Sequence, residues 1–234
     1  VLTHAIIPFL PLYVCGTFVD MTKSGKTFVI LGVLWKVFLV VIAMHFILLF
    51  VQFMVAGTIG HKNPFMLMKN QVPGYTTALG TQSSAATIPV NKEACDNIGV
   101  PKDVSDLVLP MGCTMHMDGS VLSSIVKIAF LYGVFGKDFV GAETYAMAIV
   151  VAILSAFVLS GAPGGGLVGE MLIVSMFNFP AEAFPIIATL GFIFDPAATC
   201  LNSSGDTIAS MIVTRLVEGK DWLVKAVAAK KETA

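Results

Sequence analysis

Residues 28–56 of this chain form an unbroken apolar run whose only ionisable members are Lys36 and His45. A helix needs about 20 such residues to cross the hydrocarbon of a bilayer, and this run exceeds that length. A chain built around it is a membrane protein, and its remaining segments must satisfy their backbone groups internally. Composition agrees: 56% of residues are hydrophobic and 12% charged, against roughly a quarter charged in ordinary soluble domains. Net charge is −1, so no basic excess suggests a nucleic-acid partner. Cys15, Cys95, Cys113 and Cys200 show no CxxC spacing and read as small buried hydrophobes rather than as disulfides or a zinc site.

The expected fold is an all-α membrane protein. Residues 1–21 read as the end of a transmembrane helix, followed by a polar turn (TKSGKT) and a spanning helix over 28–56. Because Val1 is preceded by no start methionine or basic leader, the chain reads as an N-terminally truncated fragment. The segments after residue 57 are interrupted in unusual places. Segment 65–97 is cut by GTQSSAA (80–86), 104–132 by HMDG (116–119) and 145–177 by SGAPGGG (160–166). Segment 183–216 carries Asp195, Asn202 and Asp206 within a helix-length apolar stretch, and 217–234 reads as a cytoplasmic tail.

The arms of segments 65–97 and 145–177 hold about 16 residues each, which reach only ~24 Å as helix, short of a ~30 Å core. Both therefore read as re-entrant helical hairpins, and a pair of broken segments in corresponding positions points to a midplane site made from inverted repeats. A cytoplasmic C-terminus would gather Lys62, Lys69, Lys92, Lys102, Arg215, Lys220, Lys225, Lys230 and Lys231 inside, leaving Lys23, Lys26 and Lys137 outside.

Three carboxylates carry the strongest chemical signal. Asp118, Asp195 and Asp206 stand in spanning segments, where an ionised group normally faces a cavity and a partner. Asp195, Thr199, Asn202 and Asp206 share one helical face, and a bound cation is the expected partner. The break GTQSSAATIP offers hydroxyls and a helix N-terminus suited to a carboxylate, or alternatively a close-packing device. The glycines and Pro163 of SGAPGGG suit a mobile gate or a bare hinge. Lys127 is expected to snorkel to the outer interface, and His4 and His45 to be satisfied by packing or at an interface. No nucleophile elbow places a serine beside His116, which weighs against an intramembrane hydrolase.

In this order, TQSSAATIP (81–89), GCTMHMDGS (112–120), GAPGGG (161–166) and DPAATCLNSSGD (195–206) resemble the dicarboxylate/amino acid:cation symporter family, over nearly the whole chain. The resemblance implies an elevator-type transport domain, a homotrimer and a cytoplasmic-membrane location, with the chain beginning inside the fifth helix. It also implies symport of an amino acid with Na+, or with H+ in its place. Ser83 and Ser84 would face the substrate carboxylate, with the Gln82 carbonyl beside them. Asn202 would hold the α-carboxylate, Asp195 and the Ala162 carbonyl the α-amino group. Ser120 and Thr199 would border the side chain, and the Gly166 amide would close over it. One sodium would sit between Asp206 and the carbonyls of Gly112, His116 and Asn202, a second near Thr114 and Met117, and a third at Asp118.

Two positions depart from the family pattern. Acidic-substrate members place an arginine where this chain has Ala198, so the resemblance favours a neutral amino acid, with a dicarboxylate or acidic amino acid, assisted by Gln82 or Lys127, as the alternative. His116 replaces the family asparagine, and a ring nitrogen is a poor sodium ligand.

Overall fold

The computed structural model describes residues 10–23, 25–159, 166–219 and 221–222. Among these, the secondary structure consists of ten helices: α1 (Leu10–Lys23), α2 (Lys26–Gly60), α3 (Pro64–Asn70), α4 (Val72–Thr81), α5 (Ser84–Ile98), α6 (Lys102–Met115), α7 (Asp118–Val134), α8 (Ala142–Leu159), α9 (Gly166–Met176) and α10 (Ala183–Glu218). Three stretches are long and apolar enough to cross a membrane: Gly32–Gly60, Lys102–Val134 and Ala183–Glu218. His4, Ala162 and most of the expected second break and tail lie outside the described residues.

Local chemistry places the helix ends. Gly25, at φ 76°, supplies the left-handed turn before α2, and Asn63 caps α3 by accepting from the Phe65 amide at 2.9 Å with Pro64 opening the helix. Where the sequence suggests one continuous arm over 65–79, the structure divides it at Gln71 into α3 and α4. Pro73 explains the division: it has no amide to donate and its ring excludes the preceding turn, so it is tolerated only at the start of a new helix. The next interruption narrows to Gln82 and Ser83. Gln82 adopts φ 52° at the end of α4, and Ser83 turns extended and caps α5 through the Ala86 amide. The break expected over 116–119 narrows likewise to His116 and Met117, since Asp118 and Gly119 already belong to α7.

Helix α10 is the axis of the molecule, packed by α2, α4, α5, α6, α7 and α9. Its first third joins an apolar cluster with α7, α8 and α9 (Ile128, Leu131, Val151, Ile173, Ile187, Leu190, Phe194). Its second half joins another with α2, α3, α5 and α6 (Phe53, Leu67, Ile98, Leu109, Leu201, Ile208, Met211). Between Phe194 and Ile208 on α10 the apolar packing is interrupted by a layer of buried polar groups that includes Thr199, Asn202, Ser203, Ser204 and Asp206, and His45 of α2 is buried as well. Packing of the two clusters brackets that layer, and within a bilayer such helix contacts are held by close van der Waals fit rather than by withdrawal from water.

Two expectations are corrected here. Lys127 does not snorkel: its side chain is 8% exposed and pairs with Glu170 of α9. Seven residues past Ser120 on α7, its ammonium is held by that carboxylate inside the bundle. Cys15 is exposed rather than buried, while Cys95 and Cys113 are buried and Cys200 half-buried, all as free thiols.

Candidate cation and substrate sites

The polar layer begins where α6 ends. The His116 amide donates to the Gly112 carbonyl at 2.7 Å, the chain extends through His116 and Met117, and α7 starts at Asp118. A helix C-terminus with free carbonyls thus meets a helix N-terminus with free amides. Asn202 of α10 resolves the second: its Oδ1 accepts from the Gly119 amide at 2.8 Å and the Ser120 amide at 3.4 Å, while its Nδ2 donates to Ser120 Oγ at 2.9 Å. The same amide group lies 3.4 Å from the Met117 sulfur. Gly119 is required at this seam, because a Cβ there would lie 2.6 Å from the Ala198 carbonyl oxygen and 2.9 Å from its Cα.

Asp206, 1% exposed, points its Oδ1 into this layer with no hydrogen-bond partner among the described residues. Gly112 makes room for it, since an added Cβ would collide with the carboxylate. His116 stands beside it, its Nδ1 3.6 Å from Asp206 Oδ1, 3.3 Å from the Asn202 carbonyl and 4.0 Å from Asp118 Oδ1. The ring packs against Gly205, where a Cβ would strike it. An orphaned buried carboxylate oxygen beside main-chain carbonyls fits a hard cation, which prefers oxygen donors. No group of three or more His, Cys, Asp or Glu among the described residues is arranged to hold a metal.

Asp118 takes a different surrounding. It accepts from its neighbour Gly119 at 3.0 Å and from Gln52 Nε2 of α2, whose own Oε1 is buried without a partner among the described residues. Thr114 spends its hydroxyl on the Met111 carbonyl of its own helix at 2.9 Å. Met117 is buried.

A cavity opens on the other side of the seam, between α4, α7, α9 and α10. Of the residues expected to meet substrate, Gln82, Ser120, Gly166, Asp195 and Ala198 line it. Ser83, Ser84, Thr199 and Asn202 do not: the first two are buried at the α4–α5 turn, Thr199 is buried in α10, and Asn202 is turned toward α7. The wall adds Ser123, Lys127 and Glu170.

Glu170, Gln52 and His45 had no place in the sequence-based site. His45 is buried, with Nδ1 2.7 Å from the Val41 carbonyl and Nε2 3.1 Å from the Gly119 carbonyl and 3.2 Å from Ser123 Oγ. A signal for each exists. Glu170 is a carboxylate in the apolar stretch of α9, the same mark that singles out Asp195, and Gln52 stands seven residues after His45 on an otherwise apolar helix, hence on the same face.

Comparison with known proteins places these features in a family. Residues 1–216 match the sodium:dicarboxylate symporter family. The chain is 33% identical over 156 residues to excitatory amino acid transporter 2 of Mus musculus, covering 66% of this chain and 27% of that protein. It is 30% identical over 208 residues to neutral amino acid transporter B(0) of Homo sapiens, covering 88% of this chain and 38% of that protein. The chain thus spans about a third of the length of the curated relatives it matches.

Proposed function

Since the chain belongs to the sodium:dicarboxylate symporter family and is a multi-pass membrane protein, we propose that it forms the substrate- and cation-binding region of a sodium-coupled symporter for a neutral amino acid in the cytoplasmic membrane. The observation that carries this reading is the adjacency of two sites on α10. Asp206, with an unanswered buried oxygen, offers a cation its charge, and Asp195, in the cavity beyond Ala198, offers a counter-charge to an amino group.

The cavity also bears on the substrate side chain. Ala198 lines it, and Lys127, the cation in its wall, is already neutralised by Glu170. A second carboxylate on the substrate would enter without a counter-charge, at a cost of a few kcal/mol or more. On the same reading α3 to α5 and α8 to α9 are re-entrant hairpins of an elevator-type transport domain, and the assembled protein is a homotrimer. Ala162 would lend its carbonyl to the α-amino group, and a second and third ion would use Thr114 with Met117 and Asp118.

A second reading, transport of a dicarboxylate or acidic amino acid, draws on the presence of Lys127 in the cavity wall. A third, proton coupling, draws on His116, whose ring stands beside Asp206 where a sodium ion would bind. Uptake into liposomes by the protein its native gene encodes, with single amino acids and imposed sodium or proton gradients, separates the three. Sodium-driven uptake of a neutral amino acid is expected. Uptake of aspartate alone, or uptake that ignores sodium, would overturn the leading reading.

A further inference from the structure

The cavity wall carries one buried ion pair whose position gives it a task. Lys127 Nζ and Glu170 Oε1 are 3.2 Å apart, with side chains 8% and 3% exposed. Burying two charges is costly, and their attraction offsets the cost only when further hydrogen bonds complete their shells. An ammonium has three N–H donors and a carboxylate about four acceptor positions. Among the described residues the Lys127 ammonium hydrogen-bonds only Glu170. Donors and acceptors of the pair are therefore left over at the wall of a cavity that both residues line.

The pair is also held in register with the rest of the cavity. Glu170 is one helical turn after Gly166 on α9, and Lys127 is two turns after Ser120 on α7. Side chains on a helix lean toward its N-terminus, so Glu170 leans back toward Gly166 and Lys127 toward Ser120. On α10, Gly191 receives the Glu170 carboxyl; a Cβ there would collide with it. Gly191 is one turn before Asp195. The ion pair thus stands roughly one turn, about 6 Å, from the residue expected to take the amino group, which is the reach of a short polar side chain.

We propose that Lys127 and Glu170 form the side-chain end of the substrate site and select a carboxamide, as in glutamine or asparagine. The inference rests on the amino-acid reading above, with Asp195 holding the α-amino group. The amide oxygen accepts from a remaining Lys127 N–H, and the amide nitrogen donates to a remaining Glu170 lone pair, so both shells are completed without separating the charges. A carboxylate side chain would instead compete with Glu170 for Lys127 and leave a buried carboxylate unpaired. An apolar side chain would leave the donors and acceptors unanswered.

Binding of glutamine, asparagine, leucine and aspartate to the protein its native gene encodes, measured calorimetrically in sodium buffer, tests this. The wild type is expected to bind a carboxamide at least tenfold more tightly than leucine or aspartate. Lys127→Met/Glu170→Met replaces the pair with apolar volume, a change that buried ion pairs often tolerate, and should abolish that preference. Glu170→Gln frees the Lys127 charge and should improve aspartate binding at least tenfold. An unchanged preference order in both variants would overturn the proposal and make the pair a strut between α7 and α9. If the double variant does not fold, the aspartate response of Glu170→Gln decides alone. A wild type that binds neutral amino acids without favouring the carboxamides refutes this inference and leaves the transport reading standing; one that binds no amino acid refutes both.

Discussion

Replacing His116 with Asn should tighten sodium binding. The ring now occupies the mouth of the Asp206 site, 3.6 Å from the orphaned Oδ1 and 3.3 Å from the Asn202 carbonyl. Two unit charges at that separation attract by about 4–5 kcal/mol at an effective dielectric near 20, and partial exposure of the ring to solvent reduces this further. A charged imidazole would therefore oppose sodium by at most about a thousandfold, at 1.4 kcal/mol per tenfold. A neutral ring opposes it only by occupying space and offering nitrogen where the ion prefers oxygen. An asparagine there contributes a carbonyl oxygen and removes the ring, so the expected gain lies between about tenfold and that ceiling. The pH dependence has a definite sign. A proton on His116 adds positive charge beside Asp206, so wild-type sodium affinity should fall as pH is lowered, and the variant should lose most of that slope. Sodium titrations of thermal unfolding at two pH values, on wild type and His116→Asn, measure both effects. Equal or weaker sodium affinity in the variant would show that the ring does not compete with the ion.

Asp206→Asn removes the formal charge of the same site and should weaken sodium binding by two to three orders of magnitude, by the same Coulomb estimate; sodium-dependent substrate binding that survives in a folded variant would disprove the assignment. Gly119→Ala drives a Cβ to 2.6 Å from the Ala198 carbonyl oxygen, roughly 1 Å inside a comfortable contact. It should cost about 1–3 kcal/mol of stability, read as a lowered unfolding midpoint, whereas Gly133→Ala, with open space around it, should be neutral or slightly stabilising. Ala198→Arg should shift competition for uptake toward aspartate and glutamate by at least tenfold (about 1.4 kcal/mol), because a guanidinium pairs bidentately with a side-chain carboxylate; strong aspartate inhibition of the wild type, unaltered by the substitution, would contradict the role given to Ala198.

The membrane class and the all-helical fold were legible because they depend on summed apolar length, which sequence reports directly. The interruptions at Gln82 and at His116 were legible as regions, since polar and charged residues are costly in lipid unless they serve a purpose. Their extents were not. Whether Asp118 begins α7 or belongs to the break depends on Asn202, 83 residues beyond Gly119, capping the Gly119 amide. Lys127 was misread for a similar reason. On its own helix it has no visible partner, and only the packing of α9 against α10 brings Glu170 to it. Asn202 shows the converse. Its shared face with Asp195 and Asp206 was readable by period, yet the direction of its amide toward α7 follows from the crossing of two helices that no local pattern encodes.

Symport requires that a cation at one place alter binding at another, and Asn202 offers a physical link between them. Its carbonyl lies by His116 on the cation side, while its side chain holds the Gly119 and Ser120 amides and Ser120 Oγ. Ser120 in turn lines the cavity with Asp195 and Ala198. A cation that draws in the Asn202 carbonyl would carry the start of α7, and with it one wall of the cavity. Asn202→Ala keeps the main-chain carbonyl and deletes the side-chain link. Loss of hydrogen bonds to two amides should cost about 1–3 kcal/mol of stability, but the informative quantity is the ratio of substrate affinities with and without sodium. That ratio should fall toward one in Asn202→Ala while sodium still raises the unfolding temperature. Were sodium to enhance substrate binding by the wild-type factor in this variant, the two sites would have to communicate through another part of α10.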